Sequence, residues 1–210
     1  MIRAEIIADA DDTAIAAWIG ARLAAALAAT SGGIAFNAPG GSTPLPILAR
    51  LVQMPLDWSR IAVWPGDERI VPETHPASNI AQLRAFLEPA GAHIVALSED
   101  ARPPHFALSW LGMGGDGHIA SLFPSSEPRA DDPLRVRRLV PDPLPPEAPF
   151  ARLTLTIPAL VDAAALVLVI RGPAKRAVLD AALGGESDLP VARLLRAAQS
   201  MRNCPVICFI

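Results

Sequence analysis

Segments with strand-like and with helical patterns alternate along most of this chain, and this alternation limits the possible folds more than any other feature. Strands joined through helices pair in parallel, because each helix carries the chain back across the face of the sheet. The sequence predicts strands at Ile34–Ala38, Ile61–Trp64, Leu108–Met113, Arg152–Ile157, Ala165–Ile170 and Pro205–Phe209. It predicts helices after a cap at Asp12 or Thr13, at Pro44–Val52, after a cap at Ser78 or Asn79, and at Ala174–Leu183. We therefore expect an α/β fold with a mostly parallel sheet covered by helices.

Length and composition fit one domain, residues 1–210, with an aliphatic core. Hydrophobic residues make up 51% of the chain and aromatic residues only 5%, so aliphatic side chains must fill most of the interior. The net charge of −3 lacks the basic footprint of a nucleic-acid-binding protein. No basic run fits an anionic membrane surface. If the ligand is an anion, its counter-charges must be gathered in a local pocket.

The sequence favours a cytoplasmic protein. Its first twelve residues are acidic and lack the apolar core of a signal peptide. The two most apolar segments, Ala14–Ala29 and Ile157–Ile170, contain Arg22 and Asp162 and are shorter than a membrane-spanning helix requires. We expect both segments to be buried elements of the fold.

Two further features carry no chemistry in this interpretation. Cys204 and Cys208 lie four residues apart on a predicted strand, too far for an unstrained disulfide, and we expect buried thiols in a reducing compartment. The connection between Phe123 and Phe150 is too rich in proline for a regular helix. Two interpretations of it stay open, a linker and a loop folded over a functional site.

The Gly-rich segment Leu111–Pro124 reads LGMGGDGHIASLFP and ends a predicted strand. It therefore lies at the carboxyl end of the sheet, where open α/β sheets bind their ligands. Asp116 and His118 combine an acid–base group with an electrostatic partner, and glycines let the backbone approach a substrate closely. Taken alone, the segment fits a structural turn as well as an active site.

A second Gly-rich turn, Gly40, Gly41, Ser42 and Thr43 followed by Pro44, connects a predicted strand to a predicted helix. Unpaired backbone N–H groups and the helix dipole favour an anion at such a turn, and the two hydroxyls add donors. The patterns of a P-loop and of a dinucleotide-binding turn are both absent. The turn is either a phosphate cradle or an ordinary capped connection.

Three cationic side chains are candidates for ligand binding. Arg69 follows Asp67 and Glu68 at the carboxyl end of a predicted strand, and its planar guanidinium suits a carboxylate or a phosphate. Lys175 lies near the start of a predicted helix, where a cation is unfavourable for the helix itself. Arg152 opens a predicted strand. Each of the three also fits an ordinary surface charge. We interpret the remaining histidines as surface or structural residues: His75, His93 and His105.

Five motifs follow one another between residues 34 and 183. They are GGSTP (Gly40–Pro44), DERIVP followed by Ser78 and Asn79, GMGGDGHIASLFP (Gly112–Pro124), RLTLTIPAL (Arg152–Leu160) and GPAKRAVL (Gly172–Leu179). Each motif is modest alone, but together and in this order they resemble the 6-phosphogluconolactonase family. The resemblance implies a Rossmann-like α/β fold with helices on both faces of the sheet, related to glucosamine-6-phosphate deaminase and other sugar-phosphate isomerases.

The resemblance also implies an activity, the hydrolysis of 6-phosphoglucono-δ-lactone to 6-phosphogluconate in the oxidative pentose phosphate pathway. Such an enzyme needs no metal and no organic cofactor. The expected partner is a small sugar-phosphate lactone, with neither nucleic acid nor membrane, and the protein is expected to be a monomer or a homodimer.

The resemblance assigns roles to the candidate residues. His118 is the expected general base, and Asp116 orients its ring. Arg69 binds either substrate oxygens or the developing oxyanion. The residues expected at the phosphate are Gly40, Gly41, Ser42, Thr43, Arg152 and Lys175. Two departures from the family pattern are Pro39, where a serine commonly precedes the glycines, and Ile119, where a threonine usually follows the histidine.

Two alternative functions stay open at this point. Glucosamine-6-phosphate deaminases share DGHIA, but they continue it as phenylalanine-asparagine-glutamate-proline, where this chain has Ser121 to Pro124. Arg69 also replaces their tyrosine, and this chain contains no tyrosine. A non-catalytic sugar-phosphate sensor of the kind found in transcription regulators would require a DNA-binding module, and only one Ala-rich helix is predicted before residue 34.

Overall fold

The computed structural model describes residues 2–146, 148–201 and 204–210, and ten strands lie within them. In chain order these are β1 (Glu5–Ile7), β2 (Ile34–Ala38), β3 (Ile61–Pro65), β4 (Asp67–Arg69), β5 (His93–Ile94), β6 (Leu108–Leu111), β7 (Val136–Leu139), β8 (Arg152–Leu155), β9 (Leu166–Val169) and β10 (Val206–Phe209). Seven strands form one sheet in the order β1-β10-β9-β6-β2-β3-β5, and every pairing within it is parallel. The expected α/β fold with a parallel sheet is confirmed.

Helices cover both faces of this sheet. They are α1 (Asp12–Ala28), α2 (Leu45–Leu51), α3 (Asn79–Leu87), α4 (Ile157–Leu160), α5 (Pro173–Gly184) and α6 (Pro190–Ser200). Strand residues alternate between the two faces: in β9, Leu166 and Leu168 belong to the core under α4, α5 and α6, whereas Val167 and Val169 belong to the core under α1, α2 and α3. Because both faces of the sheet are covered, both sets of strand residues are buried, and the strands therefore read as continuous hydrophobic runs.

The chain changes direction across the sheet between β2 and β6. From β2 it moves outward through β3 to β5, and from β6 it moves the other way through β9 and β10. At such a switch point the loops after neighbouring strands diverge and leave a crevice at the carboxyl ends. The two Gly-rich motifs follow β2 and β6, so the topology brings them to this crevice.

A second, antiparallel sheet has the order β4-β8-β7. The strand predicted at Arg152–Ile157 is confirmed as β8, but it belongs to this small sheet, and Ile157 already begins α4. The described residues of the proline-rich connection contribute β7 and pack on the protein: Arg135 donates to Pro158 O (2.8 Å) and to Asp162 Oδ2 (2.6 Å). This part of the connection is therefore a folded element and not a linker.

Several boundaries differ from the prediction for local reasons. Asp11, and neither Asp12 nor Thr13, caps α1, because its side chain accepts the Ala14 N–H at 2.7 Å. Ser78 caps α3 as one of the two predicted candidates. β6 ends at Leu111, two residues early, where the Gly-rich turn begins. The sequence analysis missed β1, β4, β5, β7, α4 and α6.

Cys204 and Cys208 are buried free thiols, as expected. Burial raises the pKa of Cys204 to about 11 and that of Cys208 to about 12, because a thiolate loses its hydration in the core. Among the helices of the described residues, none combines the length and the hydrophobicity that crossing a membrane requires.

Candidate active site

A cleft of about 310 Å³ lies at the carboxyl ends of β2, β3, β6 and β9. Its walls come from the segments that follow these strands, among them β4, at residues 39–44, 67–69, 112–120 and 169–175, together with Asn79. A larger cavity of about 920 Å³ lies at the opposite end of the sheet, beside the first residues of β2 and β3. Its wall is mainly apolar, and Arg60 there already donates to carbonyl groups in the last turn of α1 and just after it. The smaller cleft is the candidate active site because charged groups converge on it.

His118 and Asp116 form a hydrogen-bonded pair in the loop after β6. His118 Nδ1 lies 2.6 Å from Asp116 Oδ1, and the same carboxylate oxygen accepts the backbone N–H of His118 at 3.2 Å. His118 lines the cleft and is one-third exposed, while Asp116 lies behind it and is half-exposed. The Phe123 ring contacts the imidazole, with the ring centres 4.8 Å apart. The ring is therefore fixed on two sides and open on the cleft side.

Glycines make this arrangement possible. A Cβ atom on Gly114 would lie 2.2 Å from His118 Cε1 and Nδ1, so only glycine leaves room for the ring. Gly117 has a φ of +78°, and a Cβ there would lie 2.9 Å from Leu189. Its carbonyl also accepts the Val191 N–H at the start of α6 (3.0 Å). The loop is thus packed tightly against both the histidine and the helix.

The GGSTP turn after β2 forms another wall of the cleft. Gly40 packs directly on the Asn79 side chain, since a Cβ there would lie 2.0 Å from Asn79 Oδ1. Gly41 adopts a φ of +91°, and its N–H donates to Gln82 Oε1 at 3.3 Å. Ser42 and Thr43 are exposed at the cleft. Neither hydroxyl makes a hydrogen bond within the described residues, so both can donate to a ligand, whereas the Gly41 N–H already donates to Gln82.

Glu68 in the middle of the Asp-Glu-Arg triplet has a structural role. It is buried, and its two carboxylate oxygens accept hydrogen bonds from the backbone of Asn79 (2.9 Å) and Ile80 (2.6 Å) and from Ser78 Oγ (3.2 Å). It also accepts the backbone N–H of Arg69 at 2.7 Å. A carboxylate at a helix start satisfies free N–H groups and complements the dipole. Glu68 therefore fixes α3 to β4.

Asp67 and Arg69, on either side of Glu68, both face the cleft. Asp67 Oδ1 accepts from Asn79 Nδ2 at 3.2 Å, and Asp67 Oδ2 accepts from Ser121 Oγ. Arg69 Nη1 donates to Ala77 O at 2.7 Å, and its buried Nε has no partner among the described residues. Asp67 is thus positioned by neighbouring side chains and does not pair with Arg69. The guanidinium of Arg69 is anchored at one end only.

Two more cations come from the chain after β9, one in the loop and one in the helix that follows it. Lys175 lies in the first turn of α5 and makes no ion pair within the described part of the chain. Arg171 donates to Ala10 O and to Asp12 Oδ1, both at 3.1 Å. Gly172 between them has a φ of +88°, which turns the chain into the helix. The position of both cations at the end of β9 gives this side of the cleft a positive charge.

Arg152 does not reach the lining of the cleft. It is 3% exposed on β8, directly opposite Arg69 on β4, and its Nη2 donates to Ala148 O at 2.7 Å. Its Nε and Nη1 have no partner among the described residues. Burial, and then the nearby positive charge of Arg69, lower the pKa of Arg152 from its usual value. Arg152 therefore adds positive charge from behind Arg69.

The structure brings most of the predicted site residues together. One cleft is lined by His118, Arg69, Lys175 and the Gly40–Thr43 turn. Asp116 is not part of the lining but is hydrogen-bonded to His118, and Arg152 lies outside the cleft. Sequence reasoning missed Asn79 as a wall of the cleft, and it missed Arg171. Arg171 directly follows a predicted strand, and that position was the available signal. Among the described residues, no group of three or more His, Cys, Asp or Glu side chains is arranged to hold a metal ion.

Sequence comparison identifies related proteins over nearly the whole chain. The family described as glucosamine-6-phosphate isomerases/6-phosphogluconolactonase matches residues 8–102 and 90–202. A 6-phosphogluconolactonase from Pseudomonas aeruginosa is 39% identical, and the match covers 91% of this chain and 89% of that relative. Another from Pseudomonas putida is 36% identical, with coverage of 97% and 93%.

Solved structures show the same architecture. The crystal structure of a 6-phosphogluconolactonase from Shewanella baltica superposes with a TM-score of 0.80 at 26% identity, over 99% of this chain and 97% of that one. A 6-phosphogluconolactonase from Trypanosoma brucei superposes with a TM-score of 0.79 at 23% identity, over 100% and 96% of the two chains. At 23% identity, the similarity to the Trypanosoma brucei protein shows a shared fold alone.

Proposed function

This chain belongs to the family of glucosamine-6-phosphate isomerases and 6-phosphogluconolactonases, and we propose that it is a lactonase that converts 6-phosphoglucono-δ-lactone into 6-phosphogluconate. It is a hydrolase of sugar-phosphate metabolism, acting in the oxidative pentose phosphate pathway. The observation that carries the proposal is the His118–Asp116 pair facing a cleft that also contains cationic side chains. This combination supplies a base for water and counter-charges for a phosphate.

His118 activates the attacking water. A carboxylate can only accept a hydrogen bond, so Nδ1 carries the proton in the 2.6 Å contact with Asp116. This leaves Nε2 of the neutral imidazole as the proton acceptor. His118 takes one proton from water while the oxygen adds to the lactone carbonyl carbon, C1. Asp116 then stabilises the imidazolium that forms.

The tetrahedral intermediate needs a positive group near its oxyanion. Arg69 supplies that charge, because its guanidinium lines the cleft and is held by Ala77 at one end only. Collapse of the intermediate breaks the bond between C1 and the ring oxygen. The proton held by His118 passes to that ring oxygen, which becomes the hydroxyl of the open chain. The carboxylic acid product then loses its proton to solvent, and the enzyme returns to its starting state.

The phosphate is anchored at the side of the cleft nearer to α2 and α5. Ser42 and Thr43 donate from exposed hydroxyls, and Lys175 supplies a positive charge that no carboxylate of the described residues neutralises. Gly40 and Gly41 keep the turn close to the ligand. Arg152 contributes through its charge behind Arg69 and not by direct contact.

A deaminase reaction has less support. Where the deaminase motif has its glutamate, this chain has Phe123, whose ring contacts His118. An apolar ring at that point cannot move a proton. The test compares two substrates: we expect accelerated opening of 6-phosphoglucono-δ-lactone and no ammonia release from glucosamine 6-phosphate. The reverse pattern would replace the lactonase assignment by the deaminase one.

The remaining properties of the proposal follow from the substrate. The partner is a small sugar-phosphate lactone, without nucleic acid or membrane, and no organic cofactor is needed because water is the only co-reactant. We further propose a cytoplasmic location, where sugar phosphates are metabolised, and a monomer or homodimer as the working form.

A further inference from the structure

We infer that Arg171 is a second cationic ligand of the substrate phosphoryl group, beside Lys175, and that Asp12 positions it there; this inference rests on the proposed function. Arg171 lies two residues after the end of β9 and lines the same cleft as Ser42, Thr43 and Lys175. It was not among the residues that the motifs pointed to.

The charge of the ligand requires more than one cation. A phosphate monoester carries a charge of about −1.5 to −2 near pH 7. The cleft is lined by three permanent cations of the described residues, Arg69, Arg171 and Lys175, and by one carboxylate, Asp67. Arg69 lies on β4 with Asp67, whereas Arg171 lies in the loop after β9 and Lys175 lies in the first turn of α5. Lys175 alone would leave about a third to a half of the phosphate charge uncompensated.

The contacts of Arg171 hold its guanidinium in place and occupy only some of its N–H donors. Nη1 donates to Ala10 O and Nη2 donates to Asp12 Oδ1, while Nε makes no hydrogen bond within the described residues. A guanidinium has five N–H donors, so most of the fork is available to a phosphate. Its side chain is 38% exposed and therefore accessible from the cleft. Asp12 lies at the start of α1, which makes this helix the support of the phosphate site.

A purely structural role is the competing explanation. The same two hydrogen bonds attach Ala10 and the first residue of α1 to the loop after β9. If attachment is their only role, Arg171 stabilises the fold without contacting the ligand. The two roles differ in what they affect. A ligand contact changes the affinity for phosphorylated molecules, whereas an anchor changes the thermal midpoint and affects all substrates alike.

The experiment measures binding of 6-phosphogluconate by calorimetry for the wild type, Arg171→Gln and Arg176→Gln. Arg176 is the matched control, because it lies on α5 and pairs with Asp180, and neither residue lines the cleft. Replacing Arg176 by glutamine changes the net charge of the protein by the same amount as replacing Arg171. We expect Arg171→Gln to weaken binding about 10-fold to 100-fold, as for loss of a charge-assisted hydrogen bond. Arg176→Gln is expected to bind like the wild type. Equal weakening in both variants, or none in Arg171→Gln, overturns the inference.

Hydrolysis of two lactones completes the test. Arg171→Gln is expected to raise KM for 6-phosphoglucono-δ-lactone and to leave the rate with unphosphorylated glucono-δ-lactone unchanged; parallel loss on both overturns the inference.

If Arg171→Gln does not fold, Arg171→Lys keeps the charge without the fork, and we expect binding several-fold weaker at an unchanged thermal midpoint. Unchanged affinity in a folded Arg171→Lys protein then overturns the inference. A wild type that binds 6-phosphogluconate but accelerates neither lactone refutes the proposed function and leaves the binding comparison valid.

Discussion

Asp116 Oδ1 accepts two hydrogen bonds from the same residue, one from the His118 ring at 2.6 Å and one from the His118 backbone N–H at 3.2 Å. The carboxylate therefore fixes both the position and the protonated nitrogen of the imidazole. In the proposed mechanism, this relationship orients His118 as the base before the substrate arrives.

Replacement of His118 by alanine tests this role. We expect the protein to stay folded, because the side chain is one-third exposed and lies at a cleft wall. The lactonase turnover number should fall by about 10²-fold to 10⁴-fold, the usual contribution of a general base. Steady-state kinetics and circular dichroism check the two parts. Turnover like that of the wild type in a folded His118→Ala protein would remove the assignment.

Gly114→Ala should impair catalysis through the position of the ring. The added Cβ would lie 2.2 Å from His118 Cε1 and Nδ1, so the imidazole must shift. A misplacement of about 1 Å can cost about 100-fold in rate, and we expect a loss of that order in the turnover number. Gly115→Ala is the control, because a Cβ at that position meets no atom within 4 Å. Similar kinetics of the two variants would contradict the packing argument.

Glu68→Gln should act on stability. The buried carboxylate accepts hydrogen bonds from Ser78, Asn79 and Ile80 at the start of α3, and an amide cannot accept all of them. We expect a loss of about 1.5–3 kcal/mol in the free energy of unfolding. Glu73→Gln, which removes a half-exposed pair with Arg84, should change it by less than about 1 kcal/mol. Urea titrations of both variants measure the difference, and equal losses would argue against the capping role.

Asp162 makes stability depend on acid pH. Burial opposes its charge, but hydrogen bonds from His105 and Arg135 outweigh burial, and the pKa of Asp162 is lowered from its usual 3.8. Because the folded-state pKa lies below the unfolded one, the stabilisation is complete above about pH 4 and is lost as the pH falls through the folded-state value. Since the group is partly exposed, Asp162→Asn should cost roughly 0.2–1 kcal/mol at pH 7. The difference from the wild type should shrink at pH 3, and a constant difference would contradict the linkage.

Five strands of the main sheet, β2, β3, β6, β9 and β10, could be predicted because their signal is local, whereas β1 and β5 are only three and two residues long and were missed. Runs such as Ile34–Ala38 and Ala165–Ile170 identify buried strands by composition, and the alternation with helices predicts parallel pairing. The antiparallel sheet could not be predicted this way. The pairing of Arg69 with Arg152 joins residues far apart in the chain, and no local pattern encodes that register.

The site was predictable to the extent that its residues follow strand ends. The two glycine motifs and Lys175 all do, and the structure places them around one cleft. Arg152 opens a strand instead of ending one, and it is buried behind Arg69. Helix α6 shows a missed signal of another kind: Val191, Leu194, Leu195 and Ala198 have helical spacing and are all buried.

The decisive measurement for the lactonase assignment is the opening of freshly generated 6-phosphoglucono-δ-lactone, followed against its spontaneous rate with and without a chelator. We expect an acceleration that is proportional to protein concentration, unchanged by the chelator, and reduced by orders of magnitude in the His118→Ala protein. A folded wild-type protein that leaves the spontaneous rate unchanged would contradict the assignment.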